Sequence, residues 1–217
     1  MPDLTAQLLQ ATLETLHMVG LSLLLAVAAG LPLGTLLVVL DHGLIAPMPV
    51  LQRALAAVVN VGRSVPFLIL MVALIPFTRW VAGTSIGTSA AVVPMAVGAT
   101  PYVARLVEGS LRAVDRGAVE AVLAMGASSW QVVWKVLWRE ALPDLVLAIT
   151  VAAVSLVEYS AVAGAVGGGG LGDLAYRYGY QRYEVKVLLW AIVVLVVLVQ
   201  VIQFTGDRLS RRLDHRG

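Results

Sequence analysis

Long apolar stretches constrain this chain more than any other feature of its sequence. The window 185–204 carries a single charged residue, Lys186, and about 20 mainly apolar residues are enough to cross a bilayer as a helix. Hydrophobic residues make up 59% of the 217 residues and charged residues only 13%, about half of the roughly 25% that is usual in soluble domains. The sequence therefore predicts a polytopic membrane protein.

Five windows reach the length of a membrane span, and together they predict an all-α fold. The second is interrupted by Asn60, Arg63 and Pro66, and the third is the least apolar because it is rich in glycine, serine and threonine. Gly30 and Gly34 form a GxxxG pair in the first window, which is typical of close helix packing. A leucine-rich lead-in before residue 19 is suited to extend this window along the interface. We expect one transmembrane domain over residues 1–217, with spans at about 19–40, 55–77, 86–107, 145–166 and 185–204.

Positively charged residues predict the orientation, because cytoplasmic loops of membrane proteins are enriched in lysine and arginine. With the N-terminus outside, eleven of the 15 basic residues fall in cytoplasmic segments. The first 18 residues contain no lysine or arginine but do contain Asp3 and Glu14, unlike a cleavable signal peptide. We therefore expect a retained N-terminus on the outside and a cytoplasmic C-terminus, RLSRRLDHRG.

Residues for catalysis or metal binding are scarce. The chain has no cysteine, which excludes disulfides and thiolate chemistry. Neither lysine lies in a phosphate-binding G-x-x-x-x-G-K-[ST] loop, so any ATP must be handled by another protein. His17, His42 and His215 stand on separate segments without ligand spacing, and we expect them to be interfacial or solvated. The sequence predicts a protein that is not an enzyme, with no catalytic residues, metal site or cofactor of its own.

The longest cytoplasmic loop, residues 108–144, contains the segment EAVLAMGASSWQVVWKVLWREALP at positions 120–143. Its spacing predicts a short helix that is broken at Gly126 and a second helix over about 128–141. Trp130, Trp134 and Trp138 are four residues apart and form one stripe. Two interpretations are open for the loop. The tryptophans fit an interfacial belt at the headgroup level, and a short helix followed by a glycine turn is shaped to enter a groove on another protein.

The same segment resembles the EAA loop of bacterial ABC-importer permeases, in which a short coupling helix docks on the ATPase subunit. The match consists of Glu120-Ala121, Gly126 six residues after the glutamate, and Val136 ten further on. The chain departs from the motif at Val122, which replaces the second alanine, at Val136, where isoleucine is usual, and at Trp138-Arg139, which stands in place of Leu-Pro. The resemblance implies a coupling element from Glu120 to Ser128, with the coupling residues Glu120, Ala121, Met125, Gly126, Ala127 and Ser128.

Two further stretches extend the resemblance over most of the chain. RSVPFLILMVALIPFTRW, residues 63–80, and AGAVGGGGLGDLAYRYGYQRY, residues 163–183, look like the methionine-uptake permeases within that superfamily. The resemblance implies an ABC type I importer permease of five helices that transports methionine, including both enantiomers and close analogues. It also implies a homodimer in the bacterial cytoplasmic (inner) membrane, with two ATPase subunits that hold ATP and Mg below it and a substrate-binding lipoprotein above it. No nucleic-acid partner is expected.

A glycine run follows the fourth window. Gly167, Gly169 and Gly172 satisfy G-x-G-x-x-G, but a dinucleotide fingerprint follows a strand, whereas this run follows a membrane helix. The run is better interpreted as a flexible or tightly packed turn, which the family resemblance places in the outer region near the gate. We expect the small-residue segment just before it, Ser160 to Gly164 with Val162 at its centre, to help close the outer mouth of a transport path.

Glu158 is the one acidic residue well inside a predicted span. A charge at the bilayer centre costs roughly 2.5–3.5 kcal/mol on insertion scales, so such residues face the protein interior or a water-filled path rather than lipid. Two interpretations are open. Glu158 lines the translocation route, or it has a structural role, either paired with a base such as Arg79 or protonated and hydrogen-bonded.

Three classes of function are compatible with a chain of this kind. An ABC-importer permease works only with a partner ATPase. A secondary transporter would show inverted repeats and paired broken helices, and no such internal symmetry is visible. An intramembrane enzyme requires convergent nucleophile, base or metal residues at membrane depth, which Glu158 alone does not provide. The permease is therefore preferred, and a permease for another amino acid or a small osmolyte is the nearest alternative.

Overall fold

A computed structural model describes residues 4–41 and 45–214, and these residues form helices without any β-strand. The predicted all-α class is confirmed. The α-helices, in chain order, are α1 (Leu4–Val39), α2 (Pro49–Ser64), α3 (Phe67–Ala73), α4 (Ile75–Ala82), α5 (Thr88–Arg112), α6 (Arg116–Ala124), α7 (Ser129–Val132), α8 (Trp138–Glu140), α9 (Leu142–Ala163), α10 (Gly170–Leu174) and α11 (Val185–Leu213). In this described part of the chain, three π-helical segments lie between them, at Val133–Leu137, Gly164–Gly168 and Ala175–Gln181.

Four of the described helices are long and apolar enough to cross a membrane: α1, α5, α9 with its extension to Gly168, and α11. The second predicted window is broken into α2 and α3 by Val65 and Pro66. Proline lacks the N–H that a helix interior needs, and it disfavours helical geometry in the residue before it. The number of spans is five if this broken pair counts as one. The leucine-rich lead-in is part of α1, which begins at Leu4.

The least apolar of the predicted windows, which forms α5, is the most deeply buried of the four long helices. Of its most apolar stretch, 61% is buried, against 11% for α11. Small residues allow this close packing. A Cβ atom added to Gly34 of α1 would lie 2.5 Å from the carbonyl oxygen of Ala104, and one added to Gly30 would lie 2.8 Å from Val103. The prediction that the GxxxG pair packs against a helix is confirmed.

The chain divides into two compact units, each with its own core. Unit 1 comprises the described residues of Met1–Leu25, Val65–Ala99 and Ala152–Phe204, and unit 2 those of Ala26–Ser64, Thr100–Val151 and Thr205–Gly217. The predicted coupling segment belongs to unit 2, whereas Glu158, Val162 and the glycine run belong to unit 1. A core cluster of unit 1 is formed by Ala11, Leu171, Leu174 and Val187, and one of unit 2 by Leu37, Val59 and Ala104.

Candidate functional site

The predicted coupling segment lies in a short capped helix. The carboxylate of Asp115 accepts a hydrogen bond from the backbone N–H of Gly117 at 3.1 Å, so that Asp115 is the N-cap of α6. After Ala124 the helix stops, and Gly126 adopts φ +84°. Residues with a Cβ disfavour this left-handed conformation, whereas glycine adopts it freely. The predicted short helix, broken at Gly126, is confirmed.

Most of the predicted coupling residues are accessible in this chain. Val119 is 2% exposed and anchors α6 to the rest of unit 2, whereas Met125 is 77% exposed. A Cβ atom added to Gly126 would meet no atom of the described chain within 4 Å, so its backbone conformation, rather than crowding, requires the glycine. One side of α6 is therefore buried and the other is exposed. The exposed coupling residues are Glu120, Ala121, Met125, Gly126 and Ser128, and Ala127 is half-buried.

Ser128 begins the second loop helix with a capping box. Its backbone N–H donates to Oε1 of Gln131 at 2.9 Å, and its hydroxyl accepts from the backbone N–H of Gln131 at 3.4 Å. The helix continues through α7, a π-helical turn at Val133–Leu137 and α8. The spacing therefore predicted the helix correctly but did not reveal the π-helical turn, because such a turn adds only a single residue to an otherwise regular helical pattern.

The three tryptophans of this helix lie against one another, which confirms the predicted stripe. Ring centroids are 5.5 Å apart for Trp130 and Trp134, and 4.4 Å apart for Trp134 and Trp138. Nε1 of Trp138 donates to the hydroxyl of Thr35 on α1 at 3.3 Å. Trp138, which replaces the leucine of the EAA motif, thus ties the loop to α1 within unit 2. The interfacial-belt interpretation of the tryptophans stays a prediction.

A network of charged side chains precedes α6, and the sequence analysis did not identify it. Glu108 is 4% exposed and contacts Nη1 of Arg105 at 2.6 Å and Nη2 of Arg112 at 2.8 Å. Arg112 also contacts Asp41, just after α1, at 2.9 Å, and Nη2 of Arg105 donates to Asn60 of α2 at 2.7 Å. The network joins the end of α5 to α1 and α2. The sequence could have indicated these contacts, because Arg105 and Arg112 lie three residues before and four residues after Glu108 on α5.

The four predicted path residues divide into two pairs. Glu158 and Val162 are exposed, and because they are four residues apart on α9 they lie on the same face. Ser160 is 1% exposed, and its hydroxyl donates to the carbonyl oxygen of Val157 at 2.7 Å. Gly164 is also buried, and a Cβ atom there would lie 2.8 Å from the carbonyl oxygen of Gly169. Ser160 and Gly164 therefore pack against their own chain.

The glycine run after α9 is a tightly packed turn. Gly167, Gly169 and Gly170 have φ values of +96°, +83° and +76°, a region that glycine tolerates and other residues rarely adopt. The carbonyl oxygen of Gly167 accepts a hydrogen bond from the backbone N–H of Gly87 at 2.9 Å. Of the two interpretations of the run, the structure favours the packed turn over the flexible one.

Two side chains of α1 cap the helix that follows this turn. The carboxylate of Glu14 accepts a hydrogen bond from the backbone N–H of Gly170 at 2.8 Å, and the hydroxyl of Thr15 accepts one from Leu171 at 2.9 Å. The first N–H groups of a helix have no partner within the helix, so α1 supplies the missing acceptors. No sequence pattern connects positions so far apart, and the sequence analysis missed this contact.

Glu158 lines a groove between α9 and α11. The groove has a volume of about 300 Å³ and mostly apolar walls. In the described part of the chain, the Glu158 carboxylate has no hydrogen-bond or ion-pair partner. The considered pair with Arg79 does not form in the described residues, where Nε of Arg79 donates to Ser85 at 3.3 Å. The groove is lined by Val157, Glu158, Ala161, Leu195, Val196, Val199 and Gln200.

The predicted solvated histidines and the C-terminal segment are only partly described. His17 is exposed on α1. His42, His215 and the last two residues of RLSRRLDHRG lie outside the described residues. Over residues 4–41 and 45–214, no group of three or more histidine, aspartate or glutamate side chains is placed to hold a metal ion.

Comparison with known proteins shows similarity over nearly the whole chain. Residues 30–216 match the model of a family described as binding-protein-dependent transport system inner membrane component. A probable D-methionine transport system permease protein, MetI, of Vibrio cholerae serotype O1 is 53% identical over 210 residues, which are 96% of this chain and 93% of that protein. The methionine import system permease protein MetP of Bacillus subtilis is 44% identical over 214 residues, 99% of this chain and 96% of that one.

Solved structures give the same result at the level of the fold. A chain solved in inward facing conformations of the MetNI methionine ABC transporter matches with a TM-score of 0.97 at 47% identity, over 99% of this chain and 100% of that chain. A chain of an amino acid ABC transporter crystallised with histidines matches with a TM-score of 0.78 over 96% of this chain and 94% of that one, at 20% identity. At that identity the likeness concerns the fold alone.

Proposed function

This chain belongs to the family of inner membrane components of binding-protein-dependent transport systems, and from this membership we propose that it is the permease subunit of an ATP-driven methionine importer. The observation that carries the proposal is its similarity, over nearly its full length, to the methionine permeases and to the MetNI chain. Methionine, in both enantiomers and with close analogues, is the proposed substrate.

The proposed importer contains two copies of this chain in the bacterial inner membrane. Two ATPase subunits bind ATP and Mg on the cytoplasmic side, and a lipoprotein delivers substrate from outside. The absence of a phosphate-binding lysine loop from the sequence supports a separate ATPase. The distribution of lysine and arginine supports an outer N-terminus and an inner C-terminus.

Glu120 to Ser128 is the proposed coupling element, through which motion of the ATPase reaches the membrane helices. The exposed side of α6 and the glycine turn at Gly126 are suited to enter a groove on the ATPase. The charge network gives this motion a route into the membrane helices of unit 2. Glu108 holds Arg105 and Arg112 together, and these contact α2 and the residue after α1, so the end of α5 moves with its neighbours.

Glu158 and Val162 are the proposed lining of the transport path, with Val162 at the gate. Both side chains are exposed on one face of α9 and thus free to meet substrate or the second copy. Ser160 and Gly164 contribute by allowing tight packing of the segment that carries Val162. Two Val162 side chains from symmetry-related copies form a narrow, dry constriction when the path is closed.

Uptake of radiolabelled methionine tests the proposal. The chain is produced together with the ATPase and lipoprotein of its own genetic neighbourhood, in bacteria that lack methionine carriers. We expect saturable uptake that disappears when this chain is omitted or when the ATPase cannot hydrolyse ATP. Unlabelled amino acids and small osmolytes serve as competitors. Transport of one of these compounds without transport of methionine would refute the proposal that methionine is the substrate.

A further inference from the structure

Glu158 has no protein partner in the described residues, in contrast to three carboxylates that are held by their own chain. Glu108 is held by two arginines, Glu14 caps α10, and Asp173 pairs with Arg177. Glu158 lies within an apolar helix, and intramembrane carboxylates are almost always paired or exposed to a water-filled path. Its partner is therefore to be sought beyond the described residues of this chain.

The sequence contains few lysine or arginine residues that could form an ion pair with Glu158. No lysine or arginine occurs over residues 140–176 or 187–207, which include both walls of the groove. A second copy of the chain has the same sequence and the same shortage. The second and third predicted windows do contain arginines, but Arg105 is already held by Glu108 and Asn60. Arg63, which is exposed on α2, is the one cation of those windows that a second copy could present.

The groove itself combines three chemical features. It has one carboxylate, one carboxamide from Gln200, and apolar walls that include Ala161, Leu195 and Val199. Its volume of about 300 Å³ is at the lower end of the range for small-molecule sites, which are typically apolar with a few polar groups that fix orientation. A carboxylate beside an apolar wall complements a molecule that carries an ammonium group next to an apolar side chain.

We infer that this groove is a transient binding site for a zwitterionic amino acid with an apolar side chain, in which Glu158 binds the α-ammonium group. The inference rests on the proposed function and specifies a substrate contact within the proposed path. Val162 lies one turn further along the same face of α9, so an amino acid held by Glu158 is next to the proposed gate. Discrimination at this site favours substrates that retain their amino group.

Equilibrium binding of radiolabelled methionine to the purified permease–ATPase complex, without the lipoprotein, tests the inference. We expect Glu158→Gln to weaken binding about tenfold or more, because the ammonium group then meets a neutral amide oxygen in place of a negatively charged carboxylate, and Glu158→Asp to retain part of the affinity. Glu184→Gln, which removes another exposed glutamate of unit 1 outside the groove, is the matched control and should leave binding unchanged. Equal affinity of the Glu158→Gln and wild-type complexes overturns the inference.

Competition on the wild-type complex gives a second test that needs no variant of Glu158. Norleucine retains the ammonium group and an apolar side chain, whereas the desamino analogue of methionine lacks the ammonium group. We expect norleucine to displace methionine and the desamino analogue to fail at tenfold higher concentration. Equal displacement by both, or no saturable binding of methionine, overturns the inference.

Two controls distinguish substrate binding at Glu158 from an ion pair between copies and from a failure of the proposed function. If Glu158 instead pairs with Arg63 of a second copy, Arg63→Gln will reduce assembly of the dimer as much as Glu158→Gln does, and this result also overturns the inference. Methionine uptake by wild-type cells is measured independently. If wild-type cells take up methionine but Glu158→Gln does not weaken methionine binding, only the proposed binding site is refuted. If wild-type cells take up other compounds and not methionine, the proposed function is refuted.

Discussion

The carboxylate of Glu14 caps Gly170 across 156 positions of the chain, through a hydrogen bond of 2.8 Å to its backbone N–H. The neighbouring Thr15 does the same for Leu171 at 2.9 Å. Both Thr15 and Leu171 are 0% exposed, so water cannot replace this second hydrogen bond. The conformation of the glycine turn therefore depends on side chains of the first helix.

Replacing Thr15 with valine should destabilise the protein, because the shape is kept while the buried N–H of Leu171 loses its acceptor. We expect a loss of roughly 1–3 kcal/mol, measured as a lower thermal unfolding temperature in detergent. Thr12→Val is the control, since the Thr12 hydroxyl bonds only within its own helix, to Leu8 at 2.7 Å. Similar unfolding temperatures for both variants would show that the cap contributes no stability.

Glu108→Gln should also destabilise the protein, because it removes the charge that holds Arg105 and Arg112. Hydrogen bonds to charged groups contribute roughly 1.5–3 kcal/mol, and Glu108 is nearly buried. Arg112→Gln should cost no more than about 1 kcal/mol, since the Arg112 side chain is 45% exposed and exposed ion pairs are weak. Unfolding by heat ranks the two variants, and the reverse order would contradict this account of the network.

Variants at Gly126 separate the backbone requirement from contact with a partner. Asparagine tolerates a positive φ better than alanine does. Gly126→Ala should therefore lower the free energy of unfolding by roughly 1–2 kcal/mol, and Gly126→Asn by less. Gly109→Ala, at an open position on α5, should be neutral or slightly stabilising. Gly126→Trp adds bulk where this chain leaves space, so we expect it to insert normally but to reduce assembly with the ATPase.

Glu120→Lys tests the same coupling element through charge. Glu120 is exposed on α6, so its replacement should leave the permease folded while it lowers the ATP hydrolysis that the loaded binding protein stimulates. Complex formation, hydrolysis and methionine uptake are measured in parallel. If both Glu120→Lys and Gly126→Trp transport normally, the segment is an interfacial helix without a coupling role.

Cysteine labelling tests the proposed gate, because the chain contains no cysteine. Val162 is 37% exposed, and a cysteine there should react with a small thiol reagent faster in one nucleotide state of the complex than in the other. Ala163→Cys, at a position with 0% exposure, should react slowly in both states. Equal rates for Val162→Cys in the two states would exclude a gate at this position.

The sequence predicted features that depend on local spacing. The apolar windows, the stop at Gly126 and the tryptophan stripe follow from helix periodicity or from the backbone chemistry of single residues. Contacts between distant segments, such as Glu14 with Gly170 or Trp138 with Thr35, have no such signature. The buried placement of Ser160 and Gly164 was missed for a related reason, since small side chains suit both a path lining and a packed helix face.

The cap on α10 has a consequence for how the protein is made. Ribosomes add about 5–20 residues each second, so the 156 positions between Glu14 and Gly170 correspond to roughly 8–30 s of synthesis. During that interval the acceptors at Glu14 and Thr15 have no N–H of Gly170 or Leu171 to bind, because those residues have not been synthesised. The glycine turn can therefore reach its final geometry only after the fourth apolar segment has emerged, so an ordered turn indicates that the first and fourth segments have already come together.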